Sequence, residues 1–348
     1  MARRYDVTAI GELLVDFTDN GLSAQGNKLM EANPGGAPCN VLAMLSNLGF
    51  KTAFIGKVGD DMFGRMLRRN AMEAGIDVSG LVADENYNTT LAFVMNHEGG
   101  ERDFSFYRKD GADLMLRKSE VSADMIRNSK ALHFGSLSMC DEVAEAATRY
   151  AVSVAKEAGC LISFDPNYRE PLWDNKAEAI DKICWGLEQC DVLKISDNEI
   201  ELVTGRKDIE EGARFIKDKY NIPLVFATLG AEGSVALSGD NVVKVPAFIN
   251  KDTTDTTGAG DTFYGCALGY ILRMAGVAGA VAAGVGATVG YDGTWDKATA
   301  LQPMDKYHMG DLLTYSNAAA SIITTRKGAM MSMPTRDEIT VFIINHLE

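Results

Sequence analysis

The chain has 348 residues, 46 % of them hydrophobic, which supports a sizeable core and argues against disorder. Lys and Arg total 34 against 48 Asp and Glu, a net charge of -14 with no basic cluster, so nucleic acid and anionic membrane are excluded as partners. Six cysteines (Cys39, Cys140, Cys160, Cys184, Cys190 and Cys266) form no CxxC pair, and His97, His133, His308 and His346 are scattered. That pattern reads as reduced thiols of a cytoplasmic protein without a His or Cys metal site.

The start, Met-Ala-Arg-Arg-Tyr-Asp, runs straight into a strand pattern at 5–10 and does not read as a secretory signal. Residues 12–33 then look like hairpin material with a turn at Asp19-Asn20-Gly21. Helix at 38–48, strand at 52–57 and helix at 62–74 follow. A second hairpin-like segment, 88–110, turns at His97-Glu98-Gly99-Gly100 and alternates Leu91, Phe93 and Met95 with polar residues. Strands at 131–135, 160–165 and 191–195 alternate with helices at 141–158, 175–189 and 208–219. Strands at 223–228, 233–238 and 241–247 precede helices at 258–273, 310–323 and 335–347.

This alternation predicts an α/β fold with a mostly parallel central sheet flanked by helices. Ligands of such sheets bind beyond the carboxyl ends of the strands. Segments 12–33 and 88–110 fall outside the alternation and predict a small β-sheet lid on one domain covering 1–348. Residues 274–291 carry no charge, but they are built from Ala and five glycines with little Leu, Ile or Phe. They read as a helix packed inside the fold, not as a bilayer span.

The strongest chemical signal is Asp255-Thr256-Thr257-Gly258-Ala259-Gly260-Asp261-Thr262-Phe263, which opens a helical run. The small residues Gly258, Ala259 and Gly260 let backbone N–H groups approach a ligand, and a helix N-terminus favours an anion there. Asp261 falls in the first turn, placed to take a proton from a hydroxyl that attacks phosphorus. An Asp stabilising the first turn of a structural helix fits a lone Gly-Ala-Gly-Asp equally well. A second signal, Pro34-Gly35-Gly36-Ala37-Pro38-Cys39-Asn40, precedes another helix. Its glycines permit close backbone approach, and Asn40 suits sugar hydroxyls, although a glycine pair before a helix is by itself more often a structural turn. Three other patterns fail. Gly56-Lys57 lacks both the Ser or Thr and the first Gly of a phosphate-binding loop, having Val58 and Lys51 in their places. Gly284-Val285-Gly286 follows helix and has its third Gly late, at 290, and no Ser–His–Asp set is suggested.

Together these glycine-rich motifs, in this order and at this separation, resemble the paired signatures of the ribokinase (pfkB-type) carbohydrate kinases over essentially the whole chain. The resemblance implies a ribokinase-like fold that takes a sugar and ATP with Mg²⁺. Asn198-Glu199-Ile200-Glu201 resembles the family's Asn-x-x-Glu element, with Glu201 acting on Mg²⁺ indirectly. Thr228-Leu229-Gly230-Ala231-Glu232-Gly233 resembles the loop near the nucleotide, with Lys194, Asn198 and Asn317 as further nucleotide candidates. Asp255 and Thr257, with Ile323, Arg326, Gly328 and Ser332, resemble a cage for a monovalent cation, so K⁺ activation is expected. Asp16, Gly35, Gly36, Asn40, Phe106, Arg108 and Arg169 are the sugar-binding candidates, and Asp261 the base. The wording Pro-Gly-Gly-Ala-Pro-x-Asn-Val, with Asp165-Pro166-Asn167-Tyr168-Arg169 and Phe106-Tyr107-Arg108, resembles the fructokinase branch. A 2-keto-3-deoxygluconate kinase shares the Asp-x-Asn-x-Arg pattern, and a sugar-binding regulator on the same fold is the reading from another class. Lid strands in the family pair between subunits, which implies a homodimer.

Overall fold

Runs of β-branched and aromatic residues set the strands. The computed structural model describes residues 3–96, 102–282 and 295–347. The chain begins with β1 (Tyr5–Ile10), β2 (Leu14–Leu22), β3 (Lys28–Gly35), α1 (Ala37–Asn47), β4 (Thr52–Gly59), α2 (Met62–Glu73) and β5 (Ile76–Asp84). Then come β6 (Leu91–Asn96), β7 (Arg102–Tyr107), α3 (Ala123–Arg127), β8 (Ser129–Gly135), α4 (Glu142–Glu157), β9 (Leu161–Asp165) and α5 (Lys176–Gln189). The second half holds β10 (Val192–Ser196), α6 (Asp197–Thr204), α7 (Ile209–Tyr220), β11 (Leu224–Thr228), β12 (Ser234–Ser238) and β13 (Asn241–Val245). Four helices close it: α8 (Ala259–Ala282), α9 (Lys297–Ala300), α10 (Lys306–Ile323) and α11 (Arg336–Leu347).

Nine strands form one sheet in the order β13-β12-β11-β10-β9-β8-β1-β4-β5. Pairing is parallel from β11 to β5, while β12 and β13 are antiparallel. A parallel sheet is covered on both faces, so its strands are apolar on both. One face packs α1, α8, α10 and α11 against Phe54 and Phe226. The other packs α4, α5 and α7 against Phe134 and Phe164. Each of these buried phenylalanines contributes on the order of 3 kcal/mol.

The chain runs from β1 outward to β4 and β5, then crosses back to β8 on the other side of β1. That reversal makes a switch point at the carboxyl ends of β1 and β8, where open α/β sheets hold ligands. A separate four-stranded sheet, β3-β2-β6-β7, stands over it and is built from the two segments that broke the alternation.

The structure adds four elements that the sequence pattern did not reveal: β5, α3, α6 and α9. Strand β5 is an edge strand whose Asp, Ser and Gly residues interrupt its apolar pattern, yet it pairs with β4 and buries Ile76, Val78 and Leu81 in the core. Helix α6 is short and opens with a capping box, Ser196 and Glu199 exchanging side-chain and backbone hydrogen bonds. Lys57, of the failed phosphate-loop pattern, is fully buried and ion-paired with Asp84 (2.9 Å) and Glu120 (2.8 Å). Its role is structural. The uncharged stretch 274–291 continues α8 as far as Ala282 and then lies outside the described residues, as does the turn at 97–100.

Candidate active site

A cavity of about 400 Å³ opens at the carboxyl ends of the central strands, with Glu12, Leu137, Asn167, Lys194 and Thr228 on its floor. Asp16, Val94 and Phe106 of the small sheet form the opposite wall. Local geometry explains why glycine occupies 35 and 36. A Cβ on Gly35 would fall 2.0 Å from the Asp16 carboxylate, and one on Gly36 would fall 2.4 Å from the Glu12 carbonyl. Gly36 caps α1 with φ 116 and no side chain, and Glu12 supplies the missing cap by accepting from the Ala37 amide at 3.0 Å.

Asp261 sits in the first turn of α8 and is buried. One oxygen accepts from the Asn40 side-chain amide at 2.8 Å, the other from the Asn167 amide at 3.2 Å. Burial raises its pKa, and the Asn40 hydrogen bond, Lys194, Arg169 and the Asn167 hydrogen bond pull the other way without cancelling the rise. The result is a fixed carboxylate whose proton affinity is moved toward neutrality, which suits a general base. Lys194 lies 3.0 Å from Asp165 and beside Gly260. Burial works against its charge, but Asp165, Glu199 and Asp261 outweigh it and hold the lysine above its ordinary value.

Two more carboxyls line the same cleft. Burial pushes Glu12 up to about 7 against the pull of Arg108. Burial does the same to Asp16, with Asp261 and Asp255 adding to the rise and Arg169 opposing it. Glu12 Oε2 and Asn40 Oδ1 are buried acceptors without a partner among the described residues. A ligand hydroxyl would satisfy both, since buried polar atoms are rarely left unpaired.

A second cavity of about 350 Å³ adjoins the first, sharing Thr228, Gly230, Thr256 and Gly260. Gly233, Phe248, Asn317 and Ser321 are among its other walls, and among the described residues no charged side chain lines it. The Ser321 hydroxyl is buried there without a partner among the described residues. The N-terminus of α8 therefore stands at the junction of an acidic cleft and a neutral slot.

Residues 5–292 match the family model described as pfkB family carbohydrate kinase. The chain belongs to the pfkB carbohydrate kinases. A probable fructokinase-2 of Arabidopsis thaliana is 37 % identical over 339 residues, covering 97 % of this chain and 95 % of the relative. A fructokinase from Xylella fastidiosa, solved with bound ATP, superposes with a TM-score of 0.84 at 28 % identity over 99 % of both chains. A Vibrio cholerae fructokinase double mutant, in a fructose-, ADP- and potassium-bound form, gives 0.79 at 29 % identity, again over 99 % of both.

Within this pfkB site most of the expected residues meet. Asp16, Gly36, Asn40, Phe106, Arg169, Lys194, Thr228, Gly230, Gly258, Gly260 and Asp261 all line the first cavity, and Gly35 lies directly behind Asp16. The Ala259 amide donates to the Thr256 carbonyl at 3.2 Å, so Gly258 and Gly260 are the two of the three that face the cleft. Asp255 accepts from the Thr257 amide at 2.9 Å and its hydroxyl at 2.7 Å. The backbone N–H groups of Thr254 and Asp255 donate to the Thr324 carbonyl. The cation-cage candidates gather in this place: Arg326 donates to the carbonyls of Ile323 and Ser332, and Gly328 packs against Asn33.

Four expectations change. Arg108 does not line the cleft. It is buried behind the wall, giving Nε and Nη2 to Asp113 (2.9 and 2.6 Å) and Nη2 to the Leu137 carbonyl. Placed just after β7, it anchors the small sheet to the main domain instead of gripping a ligand. Asn198 and Glu201 are exposed and off the cavity. With Ser196 as N-cap, the residue that turns into the cleft is Glu199, which accepts from the Tyr168 and Ser196 amides. Glu201 is two residues further round the helix, on the far side. Asn317 lines the second cavity, but its amide is spent on Val245, Pro246 and Ser234. It holds a wall in place.

Glu12, Asn167, Glu199 and Ser321 were not among the expected site residues. Asn167 had a legible signal, a polar residue after Pro166 at a strand end, and it adopts φ 50. Ser321 had none, because a serine within Ala-rich helix looks the same in a core.

Proposed function

We propose that the protein is a fructokinase, transferring the γ-phosphoryl group of ATP to the 6-hydroxyl of D-fructose. The observation that carries this reading is Asp261, fixed by two side-chain amides at the mouth between an acidic cleft and an uncharged slot. Asp261 takes the proton of the attacking hydroxyl. The α8 amides near Gly258 and Gly260 and the Lys194 ammonium stabilise charge on the transferring group. The small sheet closes over the sugar and limits transfer to water.

No group of three metal-ligating side chains is present among the described residues. The carboxylates at hand, Asp197 and Glu199, already accept backbone N–H groups. That donor set fits Mg²⁺ held by phosphate oxygens and water, with Glu199 reaching it at one remove. Bound there, Mg²⁺ would neutralise phosphate charge. The carbonyl-rich contact between 254–257 and 323–332 suits K⁺, which would order the loop leading into α8. Equal turnover in potassium and in a bulky organic cation at matched ionic strength would remove that part of the proposal.

The cleft favours a neutral sugar over an acid sugar. Glu12, Asp16 and Asp261 face it, while the Arg108 charge is already met by Asp113. Arg169 is the observation that keeps 2-keto-3-deoxygluconate as the second reading, since an arginine fork suits a carboxylate. A coupled ADP-release screen over ketoses, aldoses, nucleosides and sugar acids tests the assignment, and absence of any turnover would favour the regulator. Exposed Leu22, Leu29 and Tyr107 on the small sheet support a homodimer through it. Among the described residues no helix is long and apolar enough to cross a membrane, and we place the enzyme in the cytoplasm.

A further inference from the structure

A third cavity, of about 410 Å³, lies at the far ends of the helices that begin at the active site. Helix α1 starts at the sugar cleft and ends at Leu48, and α8 runs from Asp261 to Arg273, roughly 18 Å at 1.5 Å per residue. Phe50, Tyr270, Tyr315 and Ile343 give the cavity an apolar body. Arg273 and Arg336 stand at its polar end.

The two guanidiniums repel each other, and the Arg336 side chain has no hydrogen bond or ion pair among the described residues. The Tyr270 and Tyr315 hydroxyls also make no hydrogen bond there. Asp311 also lines the cavity, yet neither arginine forms an ion pair with it or with another carboxylate among the described residues, and a facing, unpaired arginine pair suits an anion. Arg273 donates to the Leu48 carbonyl at 3.3 Å, so an anion that engages Arg273 pulls on the end of α1. Helices α1 and α8 touch closely, since a Cβ on Gly265 would fall 2.7 Å from Met44. The same two helices carry Asn40 and Asp261.

We infer that this cavity is an effector site for a small organic anion with an apolar body and a phosphate or carboxylate head, gripped by Arg273 and Arg336. Occupancy shifts α1 against α8 and so changes the Asn40–Asp261 contact.

The test is calorimetric titration with phenyl phosphate, with fructose and ADP saturating the active site. Arg336→Glu is the control. Arg336 is exposed, and an acid in the first turn of α11 is favourable there, so the variant should fold and keep its basal turnover. The expected result is saturable binding that weakens about tenfold or more in Arg336→Glu. Inorganic phosphate and phenol should each bind far more weakly, and the probe should change the KM for fructose or kcat in the wild type but not in the variant. Equal binding by both proteins, no saturable binding, or binding that leaves both constants unchanged would overturn the assignment. None of these outcomes touches the kinase reading, which depends on turnover without the probe.

Discussion

The acidic cleft and the neutral slot meet at Thr228, Gly230, Thr256 and Gly260, yet they are made by different means. The cleft uses side chains: Glu12, Asp16, Asn40, Asn167 and Asp261 come from separate segments and converge. The slot uses backbone turns and small residues, with no charge on its walls. Charged groups are costly to bury, so the cleft carries the raised carboxyl pKa values and the slot has none. Substitutions in the cleft should therefore alter chemistry and pH dependence, whereas those in the slot should alter ATP affinity alone.

The largest effect is expected from Asp261→Asn. Turnover should fall by about 10² to 10⁴, with fructose affinity changed only a few-fold, as steady-state kinetics and equilibrium binding would report. Near-normal turnover would remove Asp261 as the base. Asn40→Ala comes next, at about tenfold in kcat, because the carboxylate loses one of its two fixing amides. It also has a sign in pH. The Asn40 hydrogen bond is the leading influence lowering Asp261, so without it the acid limb of kcat should move to higher pH. An unmoved limb would mean that another group sets it.

Asp16→Asn divides function from stability. Its native pKa of about 7 lies above the unfolded value, so the native state binds the extra proton between roughly pH 4 and 7. The stability tied to that proton is present at low pH and is lost as pH rises through 7. The asparagine variant should therefore gain about 1–3 kcal/mol over wild type at pH 8 but much less at pH 4, while fructose KM rises. A Tm difference independent of pH would contradict this origin. Smallest is Ser321→Ala in the slot, where loss of one neutral hydrogen bond should raise the KM for ATP about fivefold and leave kcat unchanged. A fall in kcat there would blur the division between the two regions.

The same division explains what could be read from the sequence. The alternation of strands and helices was legible from its periodicity, and the Gly258–Asp261 and Gly35–Asn40 motifs became legible together, because each alone also fits a structural helix start while the pair in this order does not. Arg108 misled, since a buried arginine and a ligand-gripping one look alike until Asp113 is seen to fold back onto it. Asn198-Glu199-Ile200-Glu201 misled by two positions, because the helix phase is set by Ser196 and not by the first asparagine. Glu12 stayed hidden since its two tasks, capping α1 and facing the cleft, lie in tertiary contacts.

The central claim is that the cleft is built for a neutral ketose. The measurement that reaches it most directly is the ratio of kcat/KM for fructose to that for 2-keto-3-deoxygluconate with the purified protein. A polar site rejects a substrate that leaves its buried groups unpaired, by factors that reach ~10⁴. The account predicts a large ratio in favour of fructose. A ratio favouring the acid sugar would contradict it while leaving the kinase chemistry in place.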